Sequence, residues 1–201
     1  MHSDSLSLNL QSQYSINELI FINSGSNYYV RLPINQSAAL FASNNEGKTS
    51  SLSALKLFLL PEVNFKGSVN KFNFSSGGVT FSDEASFRYY FPSHESYIIC
   101  EAENPSHPHG FCWILFKSTR YHYDRIAVPL PYKDIEHLFW NTASNHNEEI
   151  GALHEDIAIT TIKEKLLSKQ YGGQLITDKK MISEAIYSRT TAKDDHTRFC
   201  L

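Results

Sequence analysis

Apolar runs and polar breaks divide the first two thirds of the chain into short segments, and the remainder into longer stretches of helical spacing. The segment "NELIFINSGSNYYVRLPI" (17–34) predicts strand, turn, strand, because "LIFI" and "YYVRLPI" are β-type runs and "NSGSN" is turn chemistry. The continuous apolar run "SAALFAS" (37–43) predicts a short strand buried on both faces. A polar loop, "NNEGK", follows. "TSSLSALKLFLL" (49–60) then predicts a helix: Leu52, Leu55 and Leu59 fall at i, i+3 and i+7, and Ala54 and Phe58 widen the stripe. Pro61 ends it, because a residue before proline avoids the α region.

Beyond this helix the pattern turns to strands. "KFNFSSGGVTF" and "ASFRYYF" predict strands around a Gly-Gly turn. "SYIICEAE" and "FCWILF", separated by "NPSHPHG", predict a hairpin, and "YDRIAVPLP" a further strand. This middle block is expected to be antiparallel. From Tyr132 the spacing is helical in "YKDIEHLFWNTA", "EDIAITTIKEKLLSKQ" and "DKKMISEAIYSRTTA", with the turn "YGGQ" between the last two. The expected organisation is a loose, Ser/Asn/Gln-rich stretch over 1–16, a lobe with an antiparallel β part over 17–131, and a helical segment over 132–201. The closing "RFCL" resembles an interrupted strand, which predicts a functional unit that continues elsewhere.

Composition narrows the class. The chain has 201 residues, 41% hydrophobic and 19% charged, as expected of a soluble globular domain. Its thirteen Phe and eleven Tyr reinforce the β-rich reading. A net charge of −3 argues against a broad basic face gripping DNA unaided. Three cysteines, an odd number, make no disulfide framework and point to a reducing compartment. The first fifteen residues lack the basic-then-apolar order of a secretory signal, and no run is long enough to span a membrane. The expectation is a cytoplasmic protein with no membrane partner.

The loop before the predicted helix carries the candidate chemistry. A phosphate-binding loop reads G-x-x-x-x-G-K-[ST] between a buried strand and a helix. Here the eight positions are Ala42, Ser43, Asn44, Asn45, Glu46, Gly47, Lys48 and Thr49. Backbone N–H groups of Asn44, Asn45, Glu46 and Gly47, and of the helix start, would hold anionic oxygens. Gly47 lets the chain pass close to the phosphates. Lys48 places a charge by the β- and γ-phosphates, the Thr49 hydroxyl would ligate Mg²⁺, and Ser50 could donate a further hydrogen bond. Two positions depart from the common form. Ala42 replaces the first glycine, and alanine avoids positive φ; Asn45, where a further glycine is frequent, tolerates it better. The plain alternative is a polar strand-to-helix turn.

With those residues in view, "ELIFINSGSNYYVRLPINQSAALFASNNEGKTSSLSALKLFLL" (18–60) resembles the start of an ABC-type ATPase head of the SMC, MukB-like and RecF/RecN group. Those heads open with a strand hairpin, a third strand, the phosphate loop and a helix, followed by an antiparallel β block, and their loop commonly reads G-x-N-G-x-G-K-[ST]. Asn44, Gly47, Lys48 and Thr49 match it. The resemblance implies an α/β (α+β) fold: the N-terminal lobe of a P-loop NTPase head, with a largely antiparallel β block and C-terminal helices. It implies ATP and Mg²⁺ as ligands, a second ATPase head or a C-terminal half as partner in a homo- or heterodimer, and DNA as the target of the assembly. In that group the signature motif and the acidic Walker B pair lie in the C-terminal half.

Three stretches imitate that second half. "FSSGGVTFSDE" (74–84) pairs a Ser-Gly-Gly with Asp83-Glu84, but four residues between Gly78 and Asp83 leave no room for the intervening helix and strand; a solvated hairpin turn is the ordinary reading. "SKQYGGQ" (168–174) echoes a signature, yet reads better as a glycine-capped helix end. Gln170 and Gln174 are candidates for the group's metal-sensing glutamine, or surface residues. No water-activating residue is identified, so this chain alone is expected to bind nucleotide weakly and turn it over poorly. Elsewhere, Cys100, His107, His109 and Cys112 offer four zinc-type ligands around one hairpin, against the plain alternative of turn chemistry and packed thiols. "KSTRYHYDR" (117–125) mixes basic and aromatic residues, as a nucleic-acid contact or an exposed strand would. Two readings from other classes stand beside the ATPase: a non-catalytic interaction fragment with a relic loop, and an unrelated P-loop NTPase with a mainly parallel sheet.

Overall fold

The computed structural model describes residues 15–35, 48–59, 75–76, 79–104, 107–119, 122–140 and 159–177. Six strands form one sheet in the order β2-β1-β5-β6-β7-β8, and every described pairing is antiparallel. The strands are β1 (Ser15–Ser24), β2 (Asn27–Pro33), β5 (Tyr97–Asn104), β6 (His107–Thr119), β7 (His122–Val128) and β8 (Gln174–Ile176). A separate two-residue ladder joins β3 (Ser75–Ser76) to β4 (Val79–Thr80). The helices are α1 (Lys48–Leu59), α2 (Asp83–Tyr90), α3 (Tyr132–Ile135), which runs into a 3₁₀ turn over Glu136–Leu138, and α4 (Ile159–Leu166). The fold is therefore mixed α/β with an antiparallel sheet.

Helices cover both faces of the sheet. That is why its central strands read as continuous apolar runs and not as alternating ones. In β1, Leu19 and Phe21 face one core while Ile20 and Ile22 face the other. The first core packs α1 and α2 through Ala54, Leu57, Phe58, Phe87, Tyr90 and Phe91. The second packs α3, the 3₁₀ turn and α4 through Tyr132, Ile135, Leu138, Ile162 and Leu166. The β1–β2 connection is a two-residue turn in which Gly25 (φ 63°) and Ser26 (φ 64°) are both left-handed, the geometry whose twist matches a hairpin.

Several sequence expectations are corrected. "ASFRYYF" is not a strand but most of α2. Ser82 caps that helix, its Oγ accepting the Ala85 N–H at 3.2 Å, and Asp83 and Glu84 fill the first turn, where carboxylates complement the helix dipole. On α1 the buried residues are Ser50, Ser53, Ala54, Leu57 and Phe58, and Leu55 packs partly against the first core, whereas Leu52, expected on the apolar stripe, is 54% exposed. The β1 strand begins at Ser15, inside the stretch expected to be loose. The helix expected over 132–143 is shorter, ending in the 3₁₀ turn at Leu138. The strand β8 falls within the segment expected to be helical, and it extends the sheet beside β7. The expected strand over 37–43 and the last predicted helix (178–192) lie outside the described residues.

Candidate functional site

The first turn of α1 is where the loop residues and the fold meet. Asn44, Asn45, Glu46 and Gly47 lie outside the described residues. Lys48 and Thr49 open α1, and no carboxylate stands in its first turn. A helix start directs unpaired N–H groups outward along its axis, so this end suits an anion. Ser50 is buried, and its Oγ lies 2.9 Å from the Tyr89 hydroxyl. Its carbonyl accepts the Tyr90 hydroxyl at 2.5 Å. The hydroxyl of Ser50, read from sequence as a donor to nucleotide, thus already has a protein partner.

Tyr89 and Tyr90 end α2, and their backbones hold a third element. The Gly25 N–H donates to the Tyr89 carbonyl at 3.0 Å, and the Ser24 hydroxyl donates to the Tyr90 carbonyl at 2.7 Å. These carbonyls belong to the last turn of α2, where intrahelical donors run out. Burial pushes the Tyr90 hydroxyl far above its ordinary range, with the neighbouring Tyr89 adding to the shift, so it remains a protonated donor. The far end of α1 is held too. One Arg125 nitrogen donates to the Leu57 carbonyl at 2.5 Å and to the Tyr123 hydroxyl at 3.0 Å, placing a cation at the negative end of the helix. Burial lowers the pKa of Arg125, and its Nε has no partner.

The imitations of a second half resolve into structure. Glu84 pairs with Arg88 one helical turn on, at 2.5 Å, so Asp83-Glu84 is the acidic start of a helix and not the hairpin turn expected. "SKQYGGQ" is the turn after α4: Gly172 (φ 67°) and Ser168 close it, and the Gly173 N–H returns to the Leu166 carbonyl at 2.8 Å. A Cβ on Gly173 would lie 2.3 Å from that carbonyl oxygen, which is why a glycine stands there. Gln170 is exposed, and Gln174 pairs with Ala127 in the sheet.

The zinc-type set does not converge. Cys100 packs in the first core and Cys112 in the second, on opposite faces of the sheet. Burial pushes the Cys100 thiol up to about 12 and raises Cys112 as well, the opposite of what a thiolate ligand requires. The His107 N–H donates to Asn104 Oδ1 at 2.7 Å, closing the turn without metal. In "KSTRYHYDR" the described aromatic Tyr123 turns inward, stacked on Phe91 at 5.6 Å, and Asp124 pairs with Lys163 at 3.4 Å. Sequence reasoning missed Tyr89, Tyr90 and Arg125. The Ser82-Asp83-Glu84 start of α2 was the signal that would have found the two tyrosines, since it makes a helix of the segment they end. No family model, curated protein or solved structure matches the chain.

Proposed function

We propose that the chain is the ATP-binding N-terminal portion of an SMC-like or RecF-like ATPase that acts on DNA in maintenance, repair or defence. Lys48 and the loop amides would hold the phosphates, and Thr49 would ligate Mg²⁺. A second head or a C-terminal half would supply the residue that activates water, and the cytoplasm is the expected compartment. The observation that carries this reading is that Lys48 and Thr49 lie in a helix, α1, as the motif requires of its Lys-Thr pair. The hairpin before it and the antiparallel strands after it agree with the order of such a head. The all-antiparallel pairing of the described strands argues against a P-loop NTPase of mainly parallel sheet.

A non-catalytic interaction fragment remains the second reading, favoured by Ala42 at the first glycine position and by the commitment of Ser50 to Tyr89. Titration of MgATP against the wild-type chain and Lys48→Ala separates the two. Measurable affinity that falls at least tenfold in the variant supports nucleotide binding. Equal, negligible affinity in both supports the interaction fragment.

A further inference from the structure

The last described strand is held differently from the rest of the sheet. None of the three residues of β8 is fully buried, and the strand meets β7 at three positions: Ile176 with Arg125, Leu175 with Ile126, Gln174 with Ala127. By contrast, β5 pairs with β6 from Tyr97 to Asn104, and most of that ladder is buried. Among the described residues, α4 buries two side chains, Ile162 and Leu166. The turn from α4 to β8 closes on itself. The Leu167 N–H donates to the Lys163 carbonyl at 3.0 Å, the Gly172 N–H to Ser168 at 2.8 Å, and the Gly173 N–H back to Leu166 at 2.8 Å. These bonds fix α4 against β8 without help from the sheet. The polar ties from this unit to the rest face water: Lys163 to Asp124 at 3.4 Å, and Tyr171 to His137 at 3.1 Å. Ties of that kind contribute little.

Packing beneath α4 is also imperfect. A space lined by Tyr97, Phe116, Ile126, Ile162, Lys163 and Leu166 is too narrow to hold water. Tyr97 is 2% exposed, and its hydroxyl has no hydrogen-bond partner. With α4 seated, that hydroxyl has neither water nor protein to bond, which is a standing cost to the closed arrangement. Lifting α4 opens the space to solvent and relieves it. We infer that α4, its closing turn and β8 (159–176) form a flap that opens as one unit while the other five strands of the sheet stay folded. Opening bares the edge of β7 and the apolar patch of Phe116 and Ile126 on the second face. Such partial opening is expected where few apolar contacts and few ladder bonds hold an element. The inference is independent of nucleotide binding.

The test is hydrogen exchange of the full wild-type chain, followed at several urea concentrations below the unfolding transition. The hydrogen-bonded amides of α4, its turn and β8 are expected to exchange roughly a hundredfold faster than those of β5 and β6, with one shared and shallow urea dependence. A second measurement reads the same opening through a side chain. In a full chain carrying Cys200→Ser and Leu166→Cys, the new thiol beneath α4 should react with a disulfide reagent roughly a hundredfold faster than Cys100, which is buried on the opposite face. If the Leu166→Cys chain folds poorly, exchange in the wild type decides alone. The flap is overturned if α4 and β8 exchange at the rate and urea dependence of β5 and β6, since they then open only with the whole molecule. It is equally overturned if α4 exchanges fast while β8 keeps the rate of the sheet, since the two are then not one unit.

Discussion

The two faces of the sheet are covered by helices in different ways. On the face of α1 and α2, buried hydrogen bonds tie helix to helix and helix to turn, Tyr90 to Ser50 and Ser24 to Tyr90, and a partly buried one ties strand to helix, Arg125 to Leu57. On the face of α3 and α4, the core residues are mainly apolar, and the polar links are partly buried or exposed: the Tyr132 N–H to Glu101 at 2.6 Å, Tyr29 to Glu136 and His137 to Tyr171. The buried tyrosines make the contrast sharp. The Tyr90 hydroxyl is paired, whereas that of Tyr97, on the second face, is buried with no partner. Apolar packing supplies free energy without direction, and hydrogen bonds supply direction with modest net free energy. Among the described residues, the first face ties its two helices together through buried hydrogen bonds, whereas the second ties its helices to the sheet through partly buried ones.

The largest way to break that contrast is to remove its apolar content on the first face. Phe58 is buried and stacks on Trp113 at 6.5 Å, so Phe58→Ala should cost about 3–5 kcal/mol in urea unfolding. A loss below 1 kcal/mol would mean that the polar ties, not packing, hold α1. On the second face, Gly173→Ala drives a methyl against the Leu166 carbonyl and should cost about 1–3 kcal/mol, read as a lower unfolding midpoint.

The buried thiols compare the two sides directly, since Cys100 belongs to one core and Cys112 to the other. The folded pKa of Cys100 is raised to about 12 by burial, so above pH 9 the unfolded chain loses the proton first and binds fewer protons than the native one. Stability is thus complete below that range and falls as pH rises toward the folded value, by up to about 1.4 kcal/mol per pH unit for each thiol. Urea midpoints between pH 8 and 10 should decline, and either Cys100→Val or Cys112→Val should flatten the decline; a flat wild-type profile contradicts the burial of both. The smallest effect belongs to the tyrosines. Tyr97→Phe should leave stability unchanged or raise it by up to about 1 kcal/mol, while Tyr90→Phe lowers it by about 1 kcal/mol. Equal losses in the two would erase the distinction between the faces.

Much of the sheet was legible because a strand covered on both faces must be apolar throughout. "LIFI", "YIIC" and "FCWILF" are short and rich in β-branched and aromatic residues, which favours strand over buried helix, and β1, β5 and β6 lie where they do. The segment 85–91 was misread because aromatic residues favour strands, and β-propensity outweighed the local start signal of Ser82, Asp83 and Glu84. Phe87, Tyr90 and Phe91 are spaced i, i+3, i+4, which is a helix face. Leu52 misled for a different reason: hydrophobicity ranks leucine above serine, but the buried face of α1 carries Ser50, Ser53 and Ala54, with Ser50 set against the tyrosines of α2. The three residues of β8 carry too little pattern to announce a strand. Of this region, the helix that contains Lys48 and Thr49 was legible; the tyrosines that pack against it were not, because hydrogen bonds between distant segments leave no periodicity.

The order of the sheet has a consequence for synthesis. The strand β1 is made first but sits between β2 and β5, so its second neighbour is absent until residues 97–104 leave the ribosome. During that interval the nascent hairpin presents Leu19, Ile20, Phe21 and Ile22 beside an unsatisfied row of amides, the kind of template that recruits foreign strands. Closing so long an intervening stretch is entropically slow. Yield at the bench should therefore depend on translation speed and on chaperones that shield extended chains.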